Sequence, residues 1–134
     1  MNDYRNDEYY PDPTPYHALK RVERKYYPLV YICSPFRGDT EVNQRKAQRF
    51  CRFAVSKGNM PLAPHLLFPQ FMDDGDSDER ELAFLFNMVL IPKCDELWVF
   101  GRPTDGMERE IHKAKRCLLP IRFFNDKCEE VEPL

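Results

Sequence analysis

A pattern of apolar run, polar turn and helix occurs twice in this chain and constrains its fold more than any other feature. The clearer copy has the apolar run 95–101 (DELWVFG) and the helical run 104–111 (TDGMEREI). The other has the apolar run 29–33 (LVYIC), followed by the polar turn 34–39 (SPFRGD). Strands that alternate with helices favour a parallel sheet, and ligands of such sheets bind at the carboxyl ends of the strands. The two turns therefore predict one shared cleft, with the carboxylate of Glu110 in it.

Composition limits the partners and the compartment. The chain has 134 residues, of which 43% are hydrophobic, a size that favours one domain with one core. Its 20 basic and 22 acidic side chains give a net charge of -2, so nucleic acid is not an expected partner. No apolar run approaches the ~18 residues of a membrane span, so no membrane partner is expected. The five cysteines are widely spaced without a CxxC pair, which favours reduced thiols in a cytoplasmic protein over disulfides or a metal site.

The remaining segments complete an alternating order of strands and helices. We expect residues 1–25 to form a flexible arm with a short helix, and residues 26–134 to form the domain. This order predicts an α/β fold, a three-layer flavodoxin-like or Rossmann-like sandwich with a parallel sheet of four or five strands and Trp98 in its core. The expected strands are 29–34, 60–64, 96–100 and 120–124. The expected helices are 40–57, 79–91 and 106–118. We also expect a loop or short helix at 65–71, an acidic turn at 73–78 and a polar tail from residue 125.

Three motifs, in this order, resemble the nucleoside 2-deoxyribosyltransferase superfamily. They are 31–36 (YICSPF), Asn87 ahead of the strand 94–100 (CDELWVF), and 105–111 (DGMEREI). The superfamily includes the 2'-deoxynucleoside 5'-monophosphate N-hydrolases and a group of small bacterial and phage proteins, which this chain resembles most, over residues 29–124. The resemblance implies a small-molecule nucleoside or nucleotide as substrate, no cofactor and no metal, and a homo-oligomer whose sites are completed by neighbouring subunits.

The resemblance also implies roles for individual residues. The nucleophilic glutamate of the superfamily falls on Glu110. Such a carboxylate, held against the anomeric carbon, stabilises an oxocarbenium-like transition state or forms a covalent glycosyl-enzyme. The turn that binds the sugar end falls on Tyr31, Ser34, Pro35 and Phe36.

Other positions of the resemblance concern the phosphate and the leaving base. The Arg37–Gly38 turn is similar to the phosphate-binding turn of the monophosphate hydrolases. The acid that protonates the base in the transferases has its nearest counterpart in Asn87, and a further acidic position is occupied by Thr104. Asp105 is the third candidate for a catalytic role, beside Glu110 and Asn87. The remaining candidates bind the substrate in the same cleft, where the strand-end rule places them: His65, Gly101, Gly106 and Met107.

Several of these residues also have a purely structural interpretation. Glu110 could be an acid that interacts with the helix dipole, and Asp105 is typical of a helix N-cap. Arg37 could be an ordinary surface arginine. His65, which stands beside a proline, could be structural. Met107 could contact the base or only pack in the core.

Two functions of different classes remain open. The first is cleavage of an N-glycosidic bond, or deoxyribosyl transfer, on a nucleoside or nucleotide with Glu110 as the nucleophile. The alternative is a non-catalytic binder, a sensor or sponge for a nucleotide-derived ligand, because an amide at Asn87 cannot donate an ionisable proton. A third interpretation is a structural subunit whose cleft is vestigial.

The helix expected at 79–91 is apolar over most of its surface. One face of a sheet cannot cover so much apolar surface, so we expect the chain to self-associate at least as a dimer through this helix. The apolar residues are Leu82, Ala83, Phe84, Leu85, Phe86, Met88, Val89, Leu90 and Ile91.

Overall fold

Strands and helices alternate along the chain as predicted. The computed structural model describes residues 25–133, so almost all of the predicted N-terminal arm, with its helix, lies outside the described residues. The strands are β1 (Leu29–Cys33), β2 (Met60–Leu62), β3 (Glu96–Phe100), β4 (Ile121–Phe124) and β5 (Glu130–Val131). The α-helices are α1 (Thr40–Ser56), α2 (Pro64–Leu67), α3 (Ser77–Leu90) and α4 (Asp105–Arg116), with 3-10 turns at Phe68–Gln70 and Ile91–Lys93.

The strands form one sheet in the order β2-β1-β3-β4-β5. β1 pairs in parallel with both β2 and β3, and β3 pairs in parallel with β4. This is the flavodoxin-like order, so the predicted fold class is confirmed, with β2 at the sheet edge. β5 was not predicted, because residues from 125 onward were expected to form only a polar tail. It is an antiparallel edge strand of two residues beside β4.

The strands present alternate side chains to two separate layers of helices. On one face, Val30 and Ile32 of β1 pack with Phe50 and Ala54 of α1, and Trp98 lies among them. On the other face, β1 and β3 contact α4 and the segment that follows α3; the buried residues there are Tyr31, Cys33, Ile91, Cys94, Leu97, Val99, Met107, Ile111 and Ala114. Because side chains alternate along a strand, β1 serves both layers, and its residues 31 and 33 belong to the α4 side.

The ends of α1 and α4 follow from their capping residues. The Asp39 side chain accepts a hydrogen bond from the amide of Val42, and Gly58, with φ +83°, stops the chain from continuing α1. At α4 the expectation that Asp105 is the N-cap is wrong. Thr104 is the cap: its backbone is extended and its hydroxyl accepts from the amide of Met107 at 3.3 Å. Asp105 is instead the first helical residue, where an acid still interacts favourably with the helix dipole.

The apolar face of α3 is mostly not covered by the rest of the described chain. None of its residues is buried, and the large side chains of Leu82, Leu85, Phe86 and Val89 are exposed. The side that faces α4 and the sheet carries Asn87 and the partly buried Met88 and Leu90. Among residues 25–133, none of the helices is both long and apolar enough to cross a bilayer.

Candidate functional site

Glu110 is the centre of a hydrogen-bonded cluster between α4, β1 and α3. Its Oε2 accepts from the hydroxyl of Tyr31 at 2.8 Å and from the Nδ2 of Asn87 at 3.2 Å. Its Oε1 accepts from the thiol of Cys33 at 3.3 Å. The three donors come from sequence positions 31, 33 and 87, and the acceptor comes from position 110. The fold therefore brings together three of the predicted site residues, Glu110, Tyr31 and Asn87, and adds Cys33.

The local geometry explains how these groups meet. Tyr31 and Cys33 are two residues apart on β1, so both side chains point to the α4 face of the sheet. Met107 and Glu110 are three residues apart on α4 and share the helix side that faces this strand. Cys33 was not among the predicted site residues. Its signal was present in the sequence, because strand alternation places it on the same face as Tyr31.

Burial controls the charge state of this cluster. Burial raises the pKa of the Glu110 carboxyl, and the hydrogen bonds from Tyr31, Cys33 and Asn87 oppose that shift. The pKa values of Tyr31 and Cys33 lie well above their ordinary values, mainly because of burial and next because of the Glu110 charge. The phenol and the thiol therefore remain protonated and act as donors to Glu110.

Arg109 and Arg37 make contacts with residues other than Glu110. The guanidinium of Arg109 stacks over the ring of Phe84, with 3.7 Å from its central carbon to the ring centroid. Arg37 is exposed, and its Nε lies 3.7 Å from the Oδ2 of Asp74 in the acidic turn. In the described part of the chain, three neutral donors stabilise Glu110, and no ion pair to it is formed.

The predicted residues of the first turn form a second cluster next to the first. The hydroxyl of Ser34, the buried residue after Cys33, makes a hydrogen bond of 2.9 Å with Nε2 of His65. The ring of Phe36 meets the ring of His65 edge to face, with 6.2 Å between their centroids. Burial lowers the pKa of His65 to about 4, so the imidazole is neutral at physiological pH. Ser34, Phe36 and His65 therefore come together at the ends of β1 and β2.

Of the other predicted site residues, Met107 contacts the first cluster through its backbone, since its carbonyl oxygen accepts a hydrogen bond from the Cys33 thiol at 3.9 Å. Met107 is buried, and its sulfur accepts from the amide of Thr104 at 3.5 Å, so its established contacts are those of a packing and capping residue. Gly101 has φ +80°, and a Cβ there would lie 2.9 Å from the Oδ1 of Asp126. The remaining predicted site residues are exposed or half-buried and lie after the first strand or at the start of α4: Pro35, Gly38, Asp105 and Gly106.

Asn87 has one polar atom without a partner. Its amide nitrogen donates to Glu110, whereas its Oδ1 is buried and accepts no hydrogen bond from the described residues. A buried acceptor that lacks a donor costs about 1–3 kcal/mol. This oxygen is adjacent to the Glu110 carboxylate, since the amide nitrogen of the same side chain lies 3.2 Å from Oε2.

Two surface grooves lie away from these clusters. One, of about 350 Å³, runs between α3 and α4 and is lined by Phe84, Met88, Arg109 and Arg116 among others. The other, of about 530 Å³, follows the β4–β5 edge of the sheet. Among residues 25–133, no group of three or more His, Cys, Asp and Glu side chains is placed to hold a metal ion. All five cysteines are free thiols.

Fold and topology define an α/β sandwich with a flavodoxin-like strand order. The chain is similar to the 2-deoxyribosyltransferase of the psychrotolerant bacterium Bacillus psychrosaccharolyticus, with a TM-score of 0.56 and 19% sequence identity over 78% of this chain and 77% of that chain. At that identity the likeness establishes a shared fold. The chain belongs to the family described as "Domain of unknown function (DUF7768)", whose model matches residues 28–124. No curated protein matches the chain.

Proposed function

We propose that this protein cleaves the N-glycosidic bond of a nucleoside or nucleotide, or transfers its deoxyribosyl group, with Glu110 as the nucleophile. The observation that carries the proposal is the environment of that carboxylate, held by three donors from β1 and α3 without an ion pair among the described residues. A carboxylate held in this way keeps its position and its negative charge near a developing oxocarbenium ion. The fold shared with a 2-deoxyribosyltransferase supports the same reaction class.

The second cluster supplies candidate contacts for the sugar end of the substrate. Ser34 and His65 present hydrogen-bonding groups beside Cys33, and the neutral imidazole can both donate and accept. Arg37 and Gly38 are proposed contacts of a 5'-phosphate. Arg37 lies 3.7 Å from Asp74 across a solvent-exposed gap, a weak contact that a phosphate can replace.

The test is a direct assay for released base. The protein is incubated with a panel of nucleosides, 2'-deoxynucleosides and their 5'-monophosphates, and free base is measured by chromatography. Parallel reactions that contain a second free base distinguish transfer from hydrolysis, because transfer produces a new nucleoside. Release that depends on Glu110 supports the proposal, and the absence of release from every member contradicts it.

A second candidate function, the non-catalytic binder, is favoured by one observation. The nearest counterpart of the acid in the transferases is Asn87, whose buried Oδ1 has no hydrogen-bond donor among residues 25–133 and could accept one from a bound ligand. For this function, calorimetry would detect binding of a nucleotide by wild-type protein that releases no base.

The pH profile of base release should report the ionisation of Glu110. Because burial raises the pKa of Glu110 from its ordinary 4.5, we expect activity to fall on the acidic side at a midpoint above 4.5. Tyr31→Phe removes a hydrogen bond that lowers this pKa, so the acidic limb of kcat/KM should move to higher pH. Tyr26→Phe is the matched control, since the Tyr26 hydroxyl binds Asp95 at the amino ends of β1 and β3. A limb that does not move in Tyr31→Phe would contradict the assignment to Glu110.

Self-association through the exposed face of α3 remains a prediction of the sequence. Leu85 is 50% exposed, and Leu82, Phe86 and Val89 extend the same apolar surface. Leu85→Glu should convert a dimer or larger assembly into monomers, because a charge would have to be buried at the interface. Sedimentation velocity at micromolar concentration measures the change. Val55→Glu on α1 is the matched control, since Val55 is also 50% exposed. Monomeric wild-type protein at that concentration would contradict the prediction.

A further inference from the structure

The groups that surround Glu110 are poor acids. The Tyr31 phenol and the Cys33 thiol both donate hydrogen bonds to the carboxylate, and so does the Asn87 amide. Burial makes the phenol and the thiol weaker acids than usual, since both pKa values are raised. The nearby imidazole of His65 is neutral, because its pKa is lowered to about 4. The described cluster therefore holds a nucleophile well and provides little means of protonating a leaving base.

We propose that the substrates of this site carry a cationic base, a pyridinium or an N-alkylated purine, on a ribosyl or 2-deoxyribosyl group. This proposal rests on the function proposed above. It concerns the charge of the leaving group. That charge is inferred from two features of Glu110: its hydrogen-bond donors are poor acids, and it has no cationic partner among the described residues.

The electron balance of the reaction explains the preference. A carboxylate oxygen of Glu110 forms a bond to C1' of the sugar while the bond from C1' to the ring nitrogen breaks, and its electron pair stays on the base. A cationic base is neutralised by that pair and leaves without a proton. A neutral base would leave as an anion unless an acid protonated it. Water then attacks C1', the ester bond to Glu110 breaks, the carboxylate is regenerated and one proton is released to solvent.

The electrostatics of the cluster favour the same ligands. A buried carboxylate without a cationic partner among the described residues is stabilised by a bound cation. The buried Oδ1 of Asn87 lies beside it and would accept a hydrogen bond from an amide or amino group on the base. A cationic heterocycle with an exocyclic donor would therefore satisfy two groups that the described chain leaves incompletely satisfied.

Matched substrate pairs on the wild-type protein test the inference. Guanosine is compared with N7-methylguanosine, and a pyridinium nucleoside with its reduced, uncharged form, with Glu110→Gln as the background for spontaneous cleavage. We expect Glu110-dependent release from the cationic member of each pair and at least about 100-fold lower kcat/KM for the neutral member. Values of kcat/KM within about threefold of each other would overturn this inference and leave the proposed function intact. No Glu110-dependent release from either member would overturn both.

An Asn87 variant tests the reason for the preference. Asn87→Asp places a carboxyl about where Nδ2 now lies 3.2 Å from Glu110, and two carboxyls at that distance cannot both ionise, so one keeps a proton near neutral pH. The variant should raise the neutral-to-cationic ratio of kcat/KM by about 100-fold. Asn87→Ala, which supplies no acid, should leave the ratio unchanged. Folded Asn87→Asp protein with an unchanged ratio would overturn the inference, and if the variant does not fold, the substrate pairs decide it.

Discussion

Glu110→Gln is expected to lower the rate of base release by about 10³-fold or more, the largest effect of any single change in this protein. The amide keeps the shape of the side chain and removes the charge that would stabilise or attack the anomeric carbon. Loss of a nucleophile in other enzymes costs several orders of magnitude in kcat, whereas loss of a binding contact mainly raises KM. Steady-state kinetics on an accepted substrate separates the two effects.

The same variant should fold at least as well as the wild type. Burial raises the pKa of Glu110, so above its ordinary value of 4.5 the folded state holds a proton on this carboxyl more tightly than the unfolded state does. The ionised side chain therefore makes folding less favourable as pH rises through the folded pKa, and an amide removes that cost. Thermal unfolding at pH 7 should give a Tm equal to or above that of the wild type.

Glu108→Gln is the control for this prediction. Glu108 lies two residues earlier on α4 and is exposed beside the groove between α3 and α4. Its loss should leave activity within about twofold, since surface substitutions away from a site have small effects. Wild-type activity in Glu110→Gln would eliminate Glu110 as the nucleophile and with it the proposed mechanism.

Trp98→Ala is expected to destabilise the fold by about 3–5 kcal/mol, the largest effect on stability. Trp98 is 1% exposed at the centre of β3, and its ring lies 5.0 Å from that of Phe124 and 5.9 Å from that of Phe53. The guanidinium of Arg122 covers it at 4.8 Å, and its Nε1 donates to Glu96 at 2.7 Å. Removal of the indole leaves a cavity between β3 and α1 that the strands cannot close.

Urea denaturation measures this loss as a change in the free energy of unfolding. Domains of this size have a total stability of about 5–15 kcal/mol, so the variant should unfold at much lower denaturant concentration. Phe71→Ala is a suitable control, because the Phe71 ring is 67% exposed and its loss should cost less than about 1 kcal/mol. A loss below about 1.5 kcal/mol in Trp98→Ala would contradict the account of the α1-side core.

The residues of the site were predictable to different extents. Glu110 follows from a local pattern, a helix after a buried strand, together with the rule that ligands meet the carboxyl ends of parallel strands. Tyr31 was indicated by the resemblance to the deoxyribosyltransferase superfamily. Ser34, Phe36 and His65 also lie where that rule places them. The hydrogen bond between Asn87 and Glu110 was not predictable from sequence spacing, since it depends on how α3 crosses α4.

The sequence by itself determined the order of the elements and the parallel pairing of the first four strands. These features depend on periodicities of two and 3.6 residues, which a short window of sequence contains. Only the tertiary structure decided that Thr104 rather than Asp105 caps α4 and that Cys33 donates to Glu110. The reason is that helix rotation, helix crossing and distances between distant segments depend on the packing of the whole core, which no local pattern encodes.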